Sequence, residues 1–170
     1  MKNLLFVLLL VPTSIFAQSE SLMDSVNYYF NILLNNERDS INKANSNNPN
    51  FKPLCKVSVE LDSRKFVNPD KHISNAIFDI INLGRYTPHS TTNKENFLAV
   101  QYPFDITSDY NNPKKVANDF FTSWKNSPKH YDFMVNSGIW VNWSYKTFIV
   151  RYKMVYDKNF TLVATFTGFQ

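Results

Sequence analysis

Residues Asn112–Asn136 read NPKKVANDFFTSWKNSPKHYDFMVN. Asn112 is placed to cap a helix, with Pro113 at its first position. There a missing N–H costs nothing and the fixed proline φ suits a first turn. Val116, Ala117, Phe120, Phe121 and Trp124 then recur at i, i+1, i+4, i+5 and i+8, which is one buried stripe. Ser127-Pro128 repeats the start signal and predicts a second short helix with His130 in its first turn. Trp124, Ser127 and His130 fall three apart, so a continuous helix would stack them on one face. The serine-proline restart makes that stacking approximate.

Downstream the pattern changes. Ile139–Trp143, Thr147–Tyr156 and Phe160–Phe169 are rich in Ile, Val, Phe, Tyr and Thr and read as strands. Asp157-Lys158-Asn159 joins the last two as a hairpin. Phe148, Val150, Tyr152, Met154 and Tyr156 should share one buried face, with Ile149, Arg151, Lys153 and Val155 on a mixed one.

Upstream, Leu22, Val26, Tyr29, Phe30, Leu33 and Leu34 predict a helix over Ser19–Arg38, and the asparagine-rich Ser40–Pro53 a loop. In Leu54–Asp62, Val57, Val59 and Leu61 alternate with Ser58 and Glu60, which reads as a strand. Asn68-Pro69-Asp70 opens another helix whose buried face is Ile73, Ala76, Ile77, Ile80 and Ile81, ended by Gly84. His72 lies off that stripe, on the surface. Arg85–Asn93 reads as a loop, Glu95–Val100 as a short segment of open type, and Gln101–Asn112 as a loop. Helices first and antiparallel strands after them predict an α+β domain.

Met1–Ala17 has the layout of a signal peptide. Lys2 supplies the positive start, Leu4–Val11 an apolar run too short to span a bilayer, and Ser14–Ala17 a small-residue exit. The expectation is a secreted or periplasmic protein. Its single domain would cover residues 18–170, with no transmembrane segment in the mature chain. The 170 residues carry 18 Lys+Arg against 14 Asp+Glu, a net +4, and removing Met1–Ala17 would take only Lys2 from that count. The basic residues are scattered, with no stripe and no nucleic-acid motif, so nucleic acid is not the expected partner. The single cysteine, Cys55, cannot form an internal disulfide, and is expected to be a small buried apolar residue rather than a catalytic thiol. Fifteen Phe, nine Tyr and three Trp predict a ring-packed core, with aromatic surface to spare for a ligand.

Two segments carry the functional reading. One is His89-Ser90, followed by Glu95-Asn96-Phe97-Leu98-Ala99. The other is Trp124-Lys125-Asn126-Ser127-Pro128-Lys129-His130-Tyr131, followed by Gly138-Ile139-Trp140-Val141. Together they resemble the CAP superfamily, or SCP domain, of cysteine-rich secretory, antigen-5 and pathogenesis-related proteins and many exported bacterial proteins. That family reads His-Ser, then Gly-Glu-Asn-Leu/Ile, then a helix with Trp. Bacterial members continue with Asn-Ser-Pro-Gly-His, a Gly-Val-Gly strand and a final hairpin. The likeness begins at Leu33–Arg38 and is fullest over His89–Trp143. Lys94 stands where the family has glycine, the second strand glycine is absent, and Cys55–Pro69 matches poorly.

The resemblance implies a three-layer α-β-α sandwich with a small antiparallel sheet, and over Leu54–Asp62 a turn leading into a helix in place of the strand. It also implies a cleft formed by His89, Glu95, Ser127 and His130. The two histidines and Glu95 would be three of the family's cavity tetrad, and Ser127 stands where its second glutamate would fall. Such a cleft suits a non-enzymatic domain that binds a small hydrophobic ligand such as a lipid or sterol, a peptide, or a partner protein. The alternative is a divalent-metal-dependent hydrolase or peptidase. In it His89 and His130 hold a zinc-like ion, Glu95 completes the set, and the bound water is activated. A third reading is a surface-interaction module with no small-molecule site. Each residue also has a structural explanation. His130 can be a hydrogen-bonded helix-end residue, Ser127 a cap, Glu95 a loop-fixing acceptor, and Trp124 core. Asn142-Trp143-Ser144 and Asn159-Phe160-Thr161 are glycosylation sequons if the chain follows a eukaryotic secretory route.

Overall fold

In a computed structural model, which describes residues 12–83, 95–102, 110–157 and 159–170, with side chains over 20–83, 110–155 and 161–170, the C-terminal hairpin is the middle of a four-stranded sheet. Strand β3 (Thr147–Asp157) pairs antiparallel with β4 (Asn159–Phe169), from Thr147 opposite Phe169 to Asp157 opposite Asn159. Their β-branched and aromatic residues suit a pleated surface buried on both faces. Strand β2 (Glu95–Tyr102) adds antiparallel to β4, with Glu95 opposite Thr167. Strand β1 is only Ser58–Val59 and pairs parallel to β3. The order is β1-β3-β4-β2, so the sheet is mixed rather than wholly antiparallel. A parallel neighbour requires a long crossover, and here every element between β1 and β3 lies in it.

Four α-helices are present among the described residues: α1 (Pro12–Ala44), α2 (Val67–Leu83), α3 (Pro113–Lys125) and α4 (Pro128–Met134). Among them no helix is long and apolar enough to cross a membrane. Helix α3 begins as its sequence requires: the Asn112 side chain accepts from the Lys115 N–H at 3.1 Å, and Pro113 follows. All five residues of its predicted stripe are buried. They meet Phe30 and Leu34 of α1, Phe133 of α4, and Phe148, Val150, Tyr152, Leu162, Ala164 and Phe166 of the sheet. Phe30 is at the centre, with ring centroids 5.6 Å from Trp124, 5.6 Å from Phe166 and 5.7 Å from Phe148. The other sheet face is covered by α2, whose Ile73 and Ala76 pack on Val155 and Val163. Asp70 adds an ion pair to Arg151 at 2.9 Å. The fold is α+β, with helices against both faces of a small sheet.

Polar side chains of α1 finish what the short β1 leaves open. The Phe148 carbonyl accepts from Glu60 N–H at 2.6 Å. Two residues on, Val150 presents its backbone toward the same side, where β1 has ended. Asn27 fills the gap, accepting from Val150 N–H at 2.8 Å and donating to its carbonyl at 2.9 Å. Asn35 does the same for Val57, and Asn42 for Leu54. Arg38, buried to 2% exposure, donates to the carbonyls of Cys55 and Met134 and to Asn136 Oδ1.

Several expectations are corrected. Ile139–Trp143 is not a strand: Gly138–Trp140 is a 3-10 turn, and Ile139 projects into solvent. Two left-handed residues, Asn136 and Gly138, turn the chain away from the sheet there. Cys55 is exposed, because it lies on the loop beside α1 with its backbone, not its thiol, held inward. Helix α2 is not opened by Asn68. It continues a 3-10 turn at Ser63–Phe66 that Asp62 caps through the Arg64 N–H. Ile81 is 59% exposed, whereas Ile77 and Ile80 are partly buried against the cluster with Val155 and Val163. Along β3 the buried row stops at Tyr152, and Met154 emerges beyond the helices. Helix α1 extends past Arg38 to Ala44 and starts at Pro12, ahead of the expected leader boundary. Glu95–Val100 is a strand that runs on through Gln101-Tyr102. The alternation at Val57, Val59 and Leu61 yields two paired residues, with Leu61 exposed. His72 is half-buried. Gly84 and the Arg85–Asn93 loop lie outside the described residues.

Candidate functional site

Helix α3 ends at Lys125, and the Asn126–Ser127 break restarts the chain as α4. Ser127 is the N-cap of α4 by its backbone: its carbonyl accepts from Tyr131 N–H at 2.8 Å, while its side chain makes no cap bond. His130 follows within the first turn and is half-buried. Burial holds its pKa below the ordinary histidine value, which favours the neutral imidazole. These two members of the expected cleft therefore share one short helix. Glu95 opens the edge strand β2, and its side chain lies outside the described residues. His89 lies outside them altogether. Among the described residues, no three His, Cys, Asp or Glu groups come together as a metal-binding set.

Beside Ser127 and His130 the fold assembles a cluster that sequence reasoning missed. Glu37 of α1 accepts from Lys125 Nζ at 2.6 Å and from the Tyr131 hydroxyl at 2.6 Å, one partner on each oxygen. Partial burial raises the pKa of Glu37, but the bonds from Lys125 and Tyr131 outweigh it and leave the carboxyl below its usual range. Burial and the bond to Glu37 push the Tyr131 phenol up. Both carboxylate oxygens are thus engaged in joining α1 to α3 and α4. The partners lie 88 and 94 residues from Glu37, so no local spacing could have signalled the cluster. Ser127 sits at a helix cap rather than on a nucleophile elbow, and the geometry around it is that of a structural restart.

Among the described residues a hollow lies elsewhere. Tyr29, Ile32 and Leu33 of α1 face Asn112, Lys114, Lys115 and Asn118 at the start of α3 across a space of about 350 Å³. That is within the roughly 300–1,000 Å³ of small-molecule sites. Neither Ser127 nor His130 lines it. One wall is apolar and the other is polar and cationic. Lys114 and Lys115 occupy the first turn of α3, which holds no acidic residue. Lysines there oppose the positive end of the helix dipole. Lys115 is balanced by Asp119 one turn on, at 3.0 Å. Lys114 is exposed at the rim. Tyr29 and Leu33 were legible as part of an apolar stripe and Ile32 was not, and their place opposite a lysine-bearing helix start was not legible either.

No protein-family model matches this chain, and neither a curated protein nor a solved structure matches it.

Proposed function

We propose that the protein is an exported, non-enzymatic CAP-like domain that binds an elongated amphipathic ligand in the hollow between α1 and α3. The observation that carries the reading is the two-sided lining: Tyr29, Ile32 and Leu33 offer an apolar bed, and Lys114 offers a cation at its rim beside the Lys115–Asp119 pair. An apolar chain on the bed loses its contact with water, and an anionic head at the rim is held by charge-assisted bonds. A fatty acid or lysolipid has that shape and charge. The cleft expected around His89, Glu95, Ser127 and His130 becomes, in this reading, a structural neighbourhood.

The test is titration with a fluorescent long-chain fatty acid. Saturable one-to-one binding is expected. Leu33→Asp and Lys114→Glu should each weaken it at least roughly tenfold, while His130→Ala leaves it unchanged. Binding that survives Leu33→Asp and Lys114→Glu but is lost in His130→Ala would return the ligand to the histidine cleft.

The metal-dependent hydrolase reading retains one supporting observation. Half-buried His130 has its pKa lowered by burial, which favours the neutral ring that metal ligation requires. Zinc titration of the parent chain and of His89→Ala and His130→Ala distinguishes the two readings. Tight binding lost in both variants favours the hydrolase.

A further inference from the structure

We infer that the Glu37–Lys125 ion pair is a stop that sets the length of acyl chain the hollow between α1 and α3 accepts. The inference rests on the reading of that hollow as an acyl-chain site. Residues spaced by three or four on a helix form one row along its surface. On α3 one such row is Lys114, Asn118, Phe121 and Lys125. On α1 the facing row is Tyr29, Leu33 and Glu37. Tyr29 and Leu33 face Lys114 and Asn118 across the hollow. One turn beyond Leu33, Glu37 Oε2 accepts from Lys125 Nζ at 2.6 Å. The earlier residues of one row thus meet the earlier residues of the other, and the last meet the last. The two helices run in the same direction, and the ion pair crosses the line of the hollow at one end.

The bridge is held in place from behind. The other oxygen of Glu37 accepts from the Tyr131 hydroxyl at 2.6 Å. Lys125 Nζ lies 6.0 Å from the centre of the Phe121 ring, which is buried and continues the α3 row beyond Asn118. Apolar surface therefore carries on under the ammonium group, and the bridge lies over it. Charge sets which way a ligand lies. At Lys125 the Glu37 carboxylate already meets the ammonium group, and its negative charge opposes a second anion there. Lys114 is exposed in the first turn of α3, where the helix dipole favours an anion. The head belongs at Lys114, and the tail points at the bridge. Lys114 and Lys125 are eleven residues apart, about 16 Å along a helix. That matches the acyl depth of one membrane leaflet, half of a core about 30 Å thick.

Displacement of a fluorescent long-chain fatty acid from the full chain, by straight-chain fatty acids of increasing length, tests it. In the parent, affinity should rise about fourfold per added methylene and level off once the tail reaches the bridge. Lys125→Ala should move that break to longer chains. Lys125→Arg keeps the bridge and should leave the break in place. Asn118→Phe, which narrows the row ahead of the bridge, should move it to shorter chains. Any affinity of the N-terminal residues is common to all variants, so the differences read the hollow. An unmoved break in Lys125→Ala, with circular dichroism matching the parent, overturns the inference and leaves the reading of the hollow standing. So does a uniform loss at every length in Lys125→Ala, which would put the anionic head at Lys125. Should that variant misfold, an unmoved break in Asn118→Phe overturns the inference alone. A parent chain that does not bind the fluorescent fatty acid removes the reading of the hollow, and the stop with it.

Discussion

Asn27 and Val150, 123 positions apart, exchange two hydrogen bonds inside the core: one amide side chain serves both backbone groups of a strand residue. The side chain stands in for the strand that β1 is too short to supply. Asn27→Ala leaves a buried N–H and a buried carbonyl without partners, each costing about 1–3 kcal/mol. The expected loss is about 2–4 kcal/mol in urea unfolding. A loss below about 0.5 kcal/mol would mean that water replaces the amide.

Arg38 should be equally intolerant of change. It holds three acceptors from two distant segments, and its guanidinium lies 4.6 Å from the Tyr145 ring centre. Burial pushes the Tyr145 phenol up to about 12, and the charge of Arg38 draws it partly back. Arg38→Lys keeps the charge but cannot span the acceptors. Thermal unfolding should register a loss of about 2–4 kcal/mol for Arg38→Lys, and no smaller a loss for Arg38→Leu.

Glu60 links stability to acid. Burial raises its pKa, but bonds from Lys65, Thr147 and the Asp62 N–H prevail and bring it to about 2. The folded pKa lies below the unfolded one, so the stabilisation is complete above the unfolded value. It is lost as pH falls through the folded value. Stability measured from pH 5 down to pH 2 should decline less steeply in Glu60→Gln than in the parent. Parallel curves would assign the acid sensitivity to other carboxylates.

Gly138 has φ +54°, and a Cβ added there would lie 2.8 Å from Asp132 Oδ2. Gly138→Ala therefore meets both backbone strain and a collision, together costing about 1–3 kcal/mol. Combining it with Asp132→Gly removes the collision and should restore part of the loss. A double-mutant cycle with no coupling would show that backbone strain alone is responsible.

Cys55 should behave as an open thiol. Ellman's reagent is expected to label the native protein at the rate of the urea-unfolded chain, within a factor of about ten. Cys55→Ser should alter stability by less than about 0.5 kcal/mol. Protection of the native thiol would place the loop against another surface.

The sequence was most legible where one local rule governed. The α3 stripe, its Asn112 cap and the final hairpin follow from spacing and caps that a few neighbouring residues decide. Ile139–Trp143 was misread because β-branched and aromatic residues mark buried strands, whereas here two left-handed residues and Asp132 divert the chain. The helix α2 boundary was misplaced because Asp62, rather than Asn68-Pro69, makes the capping bond. At the candidate site, Ser127 and His130 were correctly placed at a helix start. Glu37 was invisible, since its partners come from the far half of the chain. The hollow was invisible for the same reason: α1 and α3 each read as simple helices, and only their docking makes a space between them.

The Asn27–Val150 exchange has a consequence for synthesis. Asn27 of the first helix finds its partner only near the end of the chain, so a nascent polypeptide cannot complete this exchange until the last hairpin has left the ribosome. High contact order of this kind slows closure further.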